Sequence, residues 1–532
     1  METKKELLAR ILNEYSSISL EKVETNFAEF ELYGAKYAIC LFDDNGFPLV
    51  LAIDHAGNYP HFIYDNKMID GHSYKCVCLY ESGTLIEFIH TEEERIRFCL
   101  SRLLALVELS SSEVVTELQK EFLYYWNNAC SSNGKYSRFQ YQLFLDNDDT
   151  YQWLEQWHFK PNAIRITRPG RFFNDTHNKV FCDKVPVFYI PILDSIGIVP
   201  PLPDAPWSGR EIVDIVVGLK HQRISSEAYQ EISRTSYAKK EIVLVFKLNS
   251  LFFACVVEFS NPGVEKLIVK LESRIIRVTP ILMSRCDLEF LNEQIGNKPI
   301  NSKIAIVGAG SLGSYVASEL VRAGYNNIKL FDSDYYDYAN IFRHRLPYYY
   351  VHYKKYSLAS NLNSIHPELN ISGQGEYINS SNIGLLKDSD IIIIAVGNSD
   401  AELRINAALR REGISVPVFH VWLEHDGSTS HVAAIRNQEK GCFECLYTSQ
   451  SGDYCPNIIN RAVQKEIKYI RNGCGGTRVP YGNKTLLTAT ALLITALEDE
   501  MPENRVYSFV NNHFESVPFP QNKRCRCCGI CK

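Results

Sequence analysis

No apolar run in this 532-residue chain approaches the ~20 residues that a membrane helix requires, so no spanning segment is expected. An excess of positive charge is missing too. Lys and Arg number 56 against 62 Asp and Glu, for a net charge of −6, which leaves no electrostatic footprint for nucleic acid. The opening METKKELLARILNEYSS is a charged amphipathic helix without the apolar centre of a signal peptide, so the cytoplasm is the expected compartment. Repeats and low-complexity tracts are also lacking. Disorder is excluded by 45% hydrophobic and 12% aromatic residues, enough for well-built cores, and the length allows about three domains.

Cysteine, by contrast, is plentiful at 16 residues. In a reducing compartment clustered cysteines point to metal or catalysis rather than disulfides. Cys442 and Cys445 form a C-F-E-C knuckle, and the chain ends Cys525-Arg-Cys527-Cys528-Gly-Ile-Cys531. A tetrahedral Zn²⁺ site takes one thiolate pair from each of two knuckles. Cys525 with Cys528, followed by Gly529, has the C-x-x-C-G form; Cys528 with Cys531 is the competing pair.

The most informative stretch is residues 303–346. An apolar strand from Ile304 to Val307 runs into Gly308-Ala309-Gly310-Ser311-Leu312-Gly313 and an amphipathic helix, and a second strand ends on Asp332. This βαβ unit suits a nucleotide. Its glycines allow a tight turn and close approach to phosphate, and the helix N-terminus offers free N–H groups. Asp332 falls about where an acidic residue meets ribose hydroxyls. Taken alone, the unit fits an NAD oxidoreductase equally well. Asn340 and Arg343 decide against that reading, because a hydride-transfer enzyme has no need of them just past the ribose aspartate. A site that grips a triphosphate must neutralise charge as pyrophosphate leaves.

Asp332, Asp334, Asn340 and Arg343 match D-x-D-x5-N-x2-R position for position, and this run resembles the ThiF/MoeB and ubiquitin-activating superfamily. The resemblance implies an α/β fold with a C-terminal Rossmann-like adenylation domain, ATP and Mg²⁺ as cofactors, and a homodimer formed through that domain. Its members adenylate the C-terminal carboxylate of a small protein. Such relatives often carry a split zinc site in the order seen here. They place a lysine at the phosphates, shortly before a helix, and Lys354 and Lys355 both qualify; the spacing of Leu358, Leu362 and Ile365 favours Lys354. Relatives hold Mg²⁺ with an aspartate at the next strand end, where this chain offers Asn398, with Asp400 two residues on.

Two further cysteines carry possible thioester chemistry. Cys474 sits among glycines in Arg471-Asn472-Gly473-Cys474-Gly475-Gly476-Thr477, ahead of a helix whose positive end favours thiolate. The position resembles the catalytic cysteine of bacterial activating enzymes. Residues 1–135 read as helix, strands, then helices, the order of a ubiquitin-conjugating domain. Cys78 ends the apparent strand KCVCLY in a Cys-Leu pair, as conjugating nucleophiles do, and alternation puts it on one face with Cys76. Pro60-His61 resembles a degenerate His-Pro-Asn motif, which implies an oxyanion-stabilising role for His61.

Residues 136–295 read as a β-rich linker domain with a hairpin about Leu248-Asn249-Ser250, and 296–532 as the adenylation domain. The whole resembles bacterial fusions of conjugating and activating domains in antiphage systems such as CBASS. The partners this implies are a ubiquitin-like protein or a nucleotidyltransferase C-terminus as cargo, and a lysine on a target protein as acceptor. A sulfur-carrier adenylyltransferase, or a non-catalytic N-terminal binding module, are the competing readings.

Overall fold

The computed structural model describes all residues except 1, 43–45, 54–59, 70–71, 81–88, 90, 132–135, 160, 172–178, 203–204, 219–221, 347–352, 375–376, 461–469, 472–476 and 530–532. It divides into two compact units, residues 1–169 with 180–285, and residues 170–179 with 286–532. The division falls ten residues before the boundary expected at 295/296, because helix Leu288–Gln294 belongs with the C-terminal unit. The two N-terminal regions expected as separate domains lie in one unit.

The N-terminal unit opens with helix Lys4–Asn13, started by a reciprocal Thr3–Glu6 capping box. An antiparallel sheet follows in the order Ile18–Val23, Phe27–Leu32, Ala35–Cys40, Leu49–Ile53, His72–Val77, Phe62–Ile69. Ala28, Phe30 and Leu32 alternate onto its buried face. Tyr33 and Gly34, both at positive φ, make the tight turn into the next strand. Helix Glu92–Val107 covers the sheet with Ile96, Cys99, Leu100, Leu103 and Leu106, an i, i+3, i+4, i+7 stripe.

The next helix begins at Ser111, with Ser110 and Glu113 closing a capping box. It then breaks at Glu121 into Ser111–Lys120 and Phe122–Ser131. The reason is packing. The first half buries only Leu118, while Phe122, Trp126 and Cys130 turn into a different core with Trp207 and Phe253. That core lies on one face of an eight-stranded mixed sheet whose two central strands are Lys179–Ile192 and Gln152–Phe159. The predicted hairpin is present, joining Glu241–Leu248 to Leu251–Phe259 with Asn249 at φ 55°. Its strands read as unbroken apolar runs because both faces are covered, Leu244 and Phe246 on one and Val243 and Val245 on the other.

In the C-terminal unit strands and helices alternate, as expected for a doubly wound sheet. The order is Asn370–Gln374, Tyr325–Phe331, Ile300–Val307, Ile391–Ile394, Val418–Leu423, all parallel, then Ser430–Ile435, Arg505–Val510 and His513–Pro518, antiparallel. Strand order reverses at Ile300–Val307, and in such sheets the crevice for a ligand opens at the C-terminal ends of the strands there. Helices Ser311–Arg322 and Asn483–Glu498 pack on one face. Helix Ser399–Arg411 and the buried Cys442, Cys445, Cys525 and Cys528 pack on the other. Among the described residues no helix is long and apolar enough to cross a membrane.

Trp126→Ala should destabilise the N-terminal unit by about 3–5 kcal/mol through the cavity it leaves, read as a lowered urea midpoint of that unit's unfolding.

Candidate functional site

At the strand reversal lies a cavity of about 180 Å³, lined by Gly308, Gly310, Asp332, Asp334, Lys354, Ala395 and their neighbours. Its floor depends on two glycines. Gly308 has φ +98°, and a Cβ there would stand 2.6 Å from the Ala395 carbonyl oxygen; a Cβ on Gly313 would stand 1.8 Å from the Gly308 carbonyl oxygen. Gly310 caps helix Ser311–Arg322 and has open space beside it, so the first N–H groups of that helix face the cavity side.

Asp332 is a half-buried carboxylate braced by the backbone, accepting N–H bonds from Ala309 (2.7 Å) and Asp334 (2.8 Å). Burial raises its pKa above the ordinary carboxylate range, against those N–H bonds and nearby Lys354. Each oxygen keeps a second lone pair for a ligand hydroxyl. The near-buried Lys354 ammonium reaches the exposed Asp334 at 2.9 Å from the cavity wall. Lys355 points elsewhere, its ammonium about 5 Å from the ring centroids of Tyr353 and Tyr356. Of the two candidate lysines, the structure brings Lys354 to the cavity.

Asn340 and Arg343 share the 3₁₀ turn Tyr338–Arg343, and Arg343 is half-buried. Sequence reasoning missed what anchors that turn. The buried His344 donates from Nε2 to the Ala309 carbonyl at 2.8 Å, and its Nδ1 accepts from Leu346 N–H at 3.2 Å. This pattern fixes a neutral ring, and burial lowers its pKa from 6.5 to about 4. His344 ties the arginine-bearing turn to the glycine loop. Its only sequence signal was adjacency to Arg343.

The expected metal-side residues are placed differently. The Asn398 side chain caps helix Ser399–Arg411, accepting from Ala401 N–H at 3.0 Å, and exposed Asp400 pairs with Arg404 at 2.5 Å. Neither lines the cavity; Asp332 and Asp334 are the acids that do.

In the N-terminal unit the ladder ends at Val77, so Cys78 is not held to the alternation that would align it with Cys76. Its N–H donates to the His61 carbonyl at 2.8 Å. His61 and Cys78 line one cavity of about 470 Å³ with Tyr80, Arg102, Glu117 and Glu121. His61 sits at φ +67°, a conformation rare for residues other than glycine. Its ring nitrogens face Glu117 at 3.4 Å and Glu121 at 3.6 Å. The structure thus gathers a thiol, an imidazole and two carboxylates that lie far apart in the chain.

Cys442, Cys445, Cys525 and Cys528 are all buried, with their sulfurs within 4.8 Å of one another. Cys442 and Cys525 are 3.8 Å apart, and Cys445 and Cys528 3.2 Å. A Zn–S tetrahedron with bonds of about 2.3 Å has edges of roughly 3.8 Å, so the donor set fits Zn²⁺. The C-x-x-C-G pair is therefore the one that meets Cys442 and Cys445. Cys531 and the candidate nucleophile Cys474 lie outside the described residues.

His344 makes stability depend on pH. Its folded pKa is below the unfolded one, so the native state binds fewer protons between about pH 6.5 and 4, and stability falls as pH drops through that window. The loss should reach the order of 3 kcal/mol. His344→Gln keeps a donor to Ala309 and should flatten the fall in urea midpoint between pH 6.5 and 4.5; an unchanged slope would remove His344 as its source.

The ThiF family model matches residues 286–527. The ATP-dependent ubiquitin transferase-like protein Cap2 of Escherichia coli (strain TW11681) is 28% identical over 235 residues, 41% of this chain and 39% of the relative. The sulfur carrier protein ThiS adenylyltransferase of Bacillus subtilis (strain 168) is 34% identical over 119 residues, 21% of this chain and 35% of that protein. These matches span under two fifths of each relative's length. A solved structure of E. coli MccB with ATP aligns over 43% of this chain and 67% of its own, with a TM-score of 0.33 and 18% identity. The segment 286–527, which carries the glycine turn, the acidic crevice and three of the four clustered cysteines, is ThiF-like and related in sequence to Cap2.

Proposed function

We propose that the chain activates a protein C-terminal carboxylate with ATP and passes it, as a thioester, to an amine. The observation that carries this reading is the convergence of Lys354, Asp332 and Asp334 on the glycine-turn crevice. In this reading the helix N-terminus and Lys354 take the phosphates, Asp332 takes the ribose, and Asn340 and Arg343 neutralise charge as pyrophosphate departs. The cargo carboxylate attacks the α-phosphorus to form an acyl-adenylate. The magnesium that accompanies ATP supplies further charge neutralisation, and the carboxylates of Asp332 and Asp334 are its nearest candidates here. Asn398 and Asp400 are more distant ones.

The Cys474 thiolate then attacks the acyl carbon, forming a C–S bond and releasing AMP. Cys78 accepts the acyl group by thioester exchange and yields it to an amine, expelling the Cys78 thiolate. His61 beside Cys78 supports this second step, since no adenylating chemistry requires a thiol and an imidazole in a cavity of the other unit. Zn²⁺ on Cys442, Cys445, Cys525 and Cys528 would hold the two knuckles together. The acyl donor is a ubiquitin-like protein or a nucleotidyltransferase C-terminus, the acceptor a target lysine, and the setting bacterial antiphage defence. The working form is a homodimer through the adenylation domain. The likeness to the ThiS adenylyltransferase favours one alternative, sulfur-carrier activation, in which the Cys78 cavity has no catalytic part.

Lys354→Ala should reduce cargo-dependent ATP–pyrophosphate exchange about 10²-fold, and Arg343→Ala should impair it as well. Unchanged exchange in both would remove the triphosphate assignment, as would occupancy of the crevice by NAD in place of ATP. Cys474→Ala should retain exchange and lose the reducible adduct with cargo. Cys78→Ala should retain that adduct and lose target modification; unaltered modification would leave the sulfur-carrier reading standing.

A further inference from the structure

Helix Ser399–Arg411 places two buried polar side chains, Glu402 and Asn406, one turn apart on the same face. Neither belongs to the nucleotide crevice or the cysteine cluster, yet each bonds to residues adjoining one of them in the chain. Glu402 Oε1 accepts the Gly397 N–H at 3.1 Å. Gly397 directly follows Ala395 and Val396, which wall the crevice, and Ala395 is the residue against which the Gly308 turn closes. Asn406 Oδ1 accepts the Phe443 N–H at 3.2 Å, and its Nδ2 donates to Cys527 Sγ at 3.3 Å. Phe443 lies between Cys442 and Cys445, and Cys527 between Cys525 and Cys528. Asn406 therefore touches both knuckles of the cluster.

The circuit closes through His420. Its Nδ1 stands 3.4 Å from Glu402 Oε2, and its ring stacks on Phe443 with centroids 3.8 Å apart and planes 3° from parallel. His420 is fully buried, and its Nε2 has no partner among the described residues. An unpaired buried nitrogen carries a desolvation penalty that a phenylalanine or leucine at this position would avoid. The polar circuit is thus more than core filling.

We propose that Glu402, His420 and Asn406 are positioning residues that couple metal at the four-cysteine cluster to nucleotide at the crevice, so that each ligand tightens the other. This rests on the ATP reading of the crevice. The physical basis is differential. Metal fixes the two knuckles, these fix Phe443 and Cys527, and helix Ser399–Arg411 transmits their position to Gly397 and the wall. A wall held in place lowers the ordering required when the phosphates bind. Linkage demands reciprocity, so nucleotide must tighten metal by the same factor.

The test uses the full-length chain and two probes, zinc and α,β-methylene ATP. Zinc affinity is read by competition with a chromogenic chelator, with and without saturating nucleotide analogue, and analogue binding is measured directly by calorimetry. In the unaltered protein the analogue should tighten zinc by roughly 5-fold or more. Glu402→Ala should abolish that factor while zinc still binds one per chain. Glu402→Gln, which keeps the volume and an acceptor for Gly397 but presents an amide donor toward His420, should reduce it and guards against misfolding of the alanine variant. Leu409→Ala removes a buried apolar side chain from the same helix and should leave the factor intact. The proposal fails if the bound analogue leaves zinc affinity unchanged, or if Leu409→Ala erases the coupling as fully as Glu402→Ala. Absence of analogue binding would instead bring down the ATP reading, and the coupling with it.

Discussion

The C-terminal unit hangs on a close approach of backbone to backbone at the sheet's reversal point. Gly308 N–H donates to Phe331 O and Ala395 N–H donates to Val307 O, both at 2.8 Å, so the glycine turn is bonded to both neighbouring strands. A Cβ on Gly313 would sit 1.8 Å from a carbonyl oxygen, a distance no small backbone shift repairs. Removing two side chains lets the helix start directly over the strand end, which is what exposes its N–H groups. Two polar elements nearby are then fastened to this turn, Asp332 through Ala309 N–H and the arginine turn through His344 and Ala309 O. The crevice is shaped by main-chain geometry first, and its charged groups are referenced to it.

Much of this was legible because the relevant signals are local. Glycines, strand-end acids and C-x-x-C pairs announce themselves at fixed spacing, and the hairpin signal translates directly into a two-residue turn. What escaped depends on three-dimensional context. Asn398 stands where a metal ligand belongs in the motif, yet Asn before a helix is equally a cap, and the cap is what forms. The break at Glu121 accompanies the turn of Phe122, Trp126 and Cys130 into a core that the first half does not join, and helical periodicity alone cannot show that. His344 carries no spacing rule at all. Its role arises from burial against Ala309, which only the fold supplies.

The Cys78 cavity shows the same contrast. A Cys-Leu pair at a strand end was readable, but its partners were not. His61 reaches Cys78 because its backbone is held at positive φ and its carbonyl accepts the Cys78 N–H. Glu117 and Glu121 reach His61 because they are four apart on and just beyond helix Ser111–Lys120. The helix break at Glu121 therefore serves one core and one cavity at once.

The charge arrangement around that thiol also bears on what the cavity can do under the conjugating reading. Cysteines tuned for attack are surrounded by cations or a helix N-terminus, which stabilise thiolate. Here one arginine, Arg102, shares the cavity with two glutamates, Glu117 and Glu121. Under that reading Cys78 receives an acyl group already activated as a thioester, so this cavity has only to exchange it and present it to an acceptor. The two glutamates would also repel hydroxide and attract an ammonium, favouring amine over water at the thioester. In the proposed function a strong electrophile would be made at one crevice, by a site rich in phosphate-binding groups, and spent at a second cavity whose charges would select the acceptor. That division of labour is what the differing chemistry of the two cavities supports.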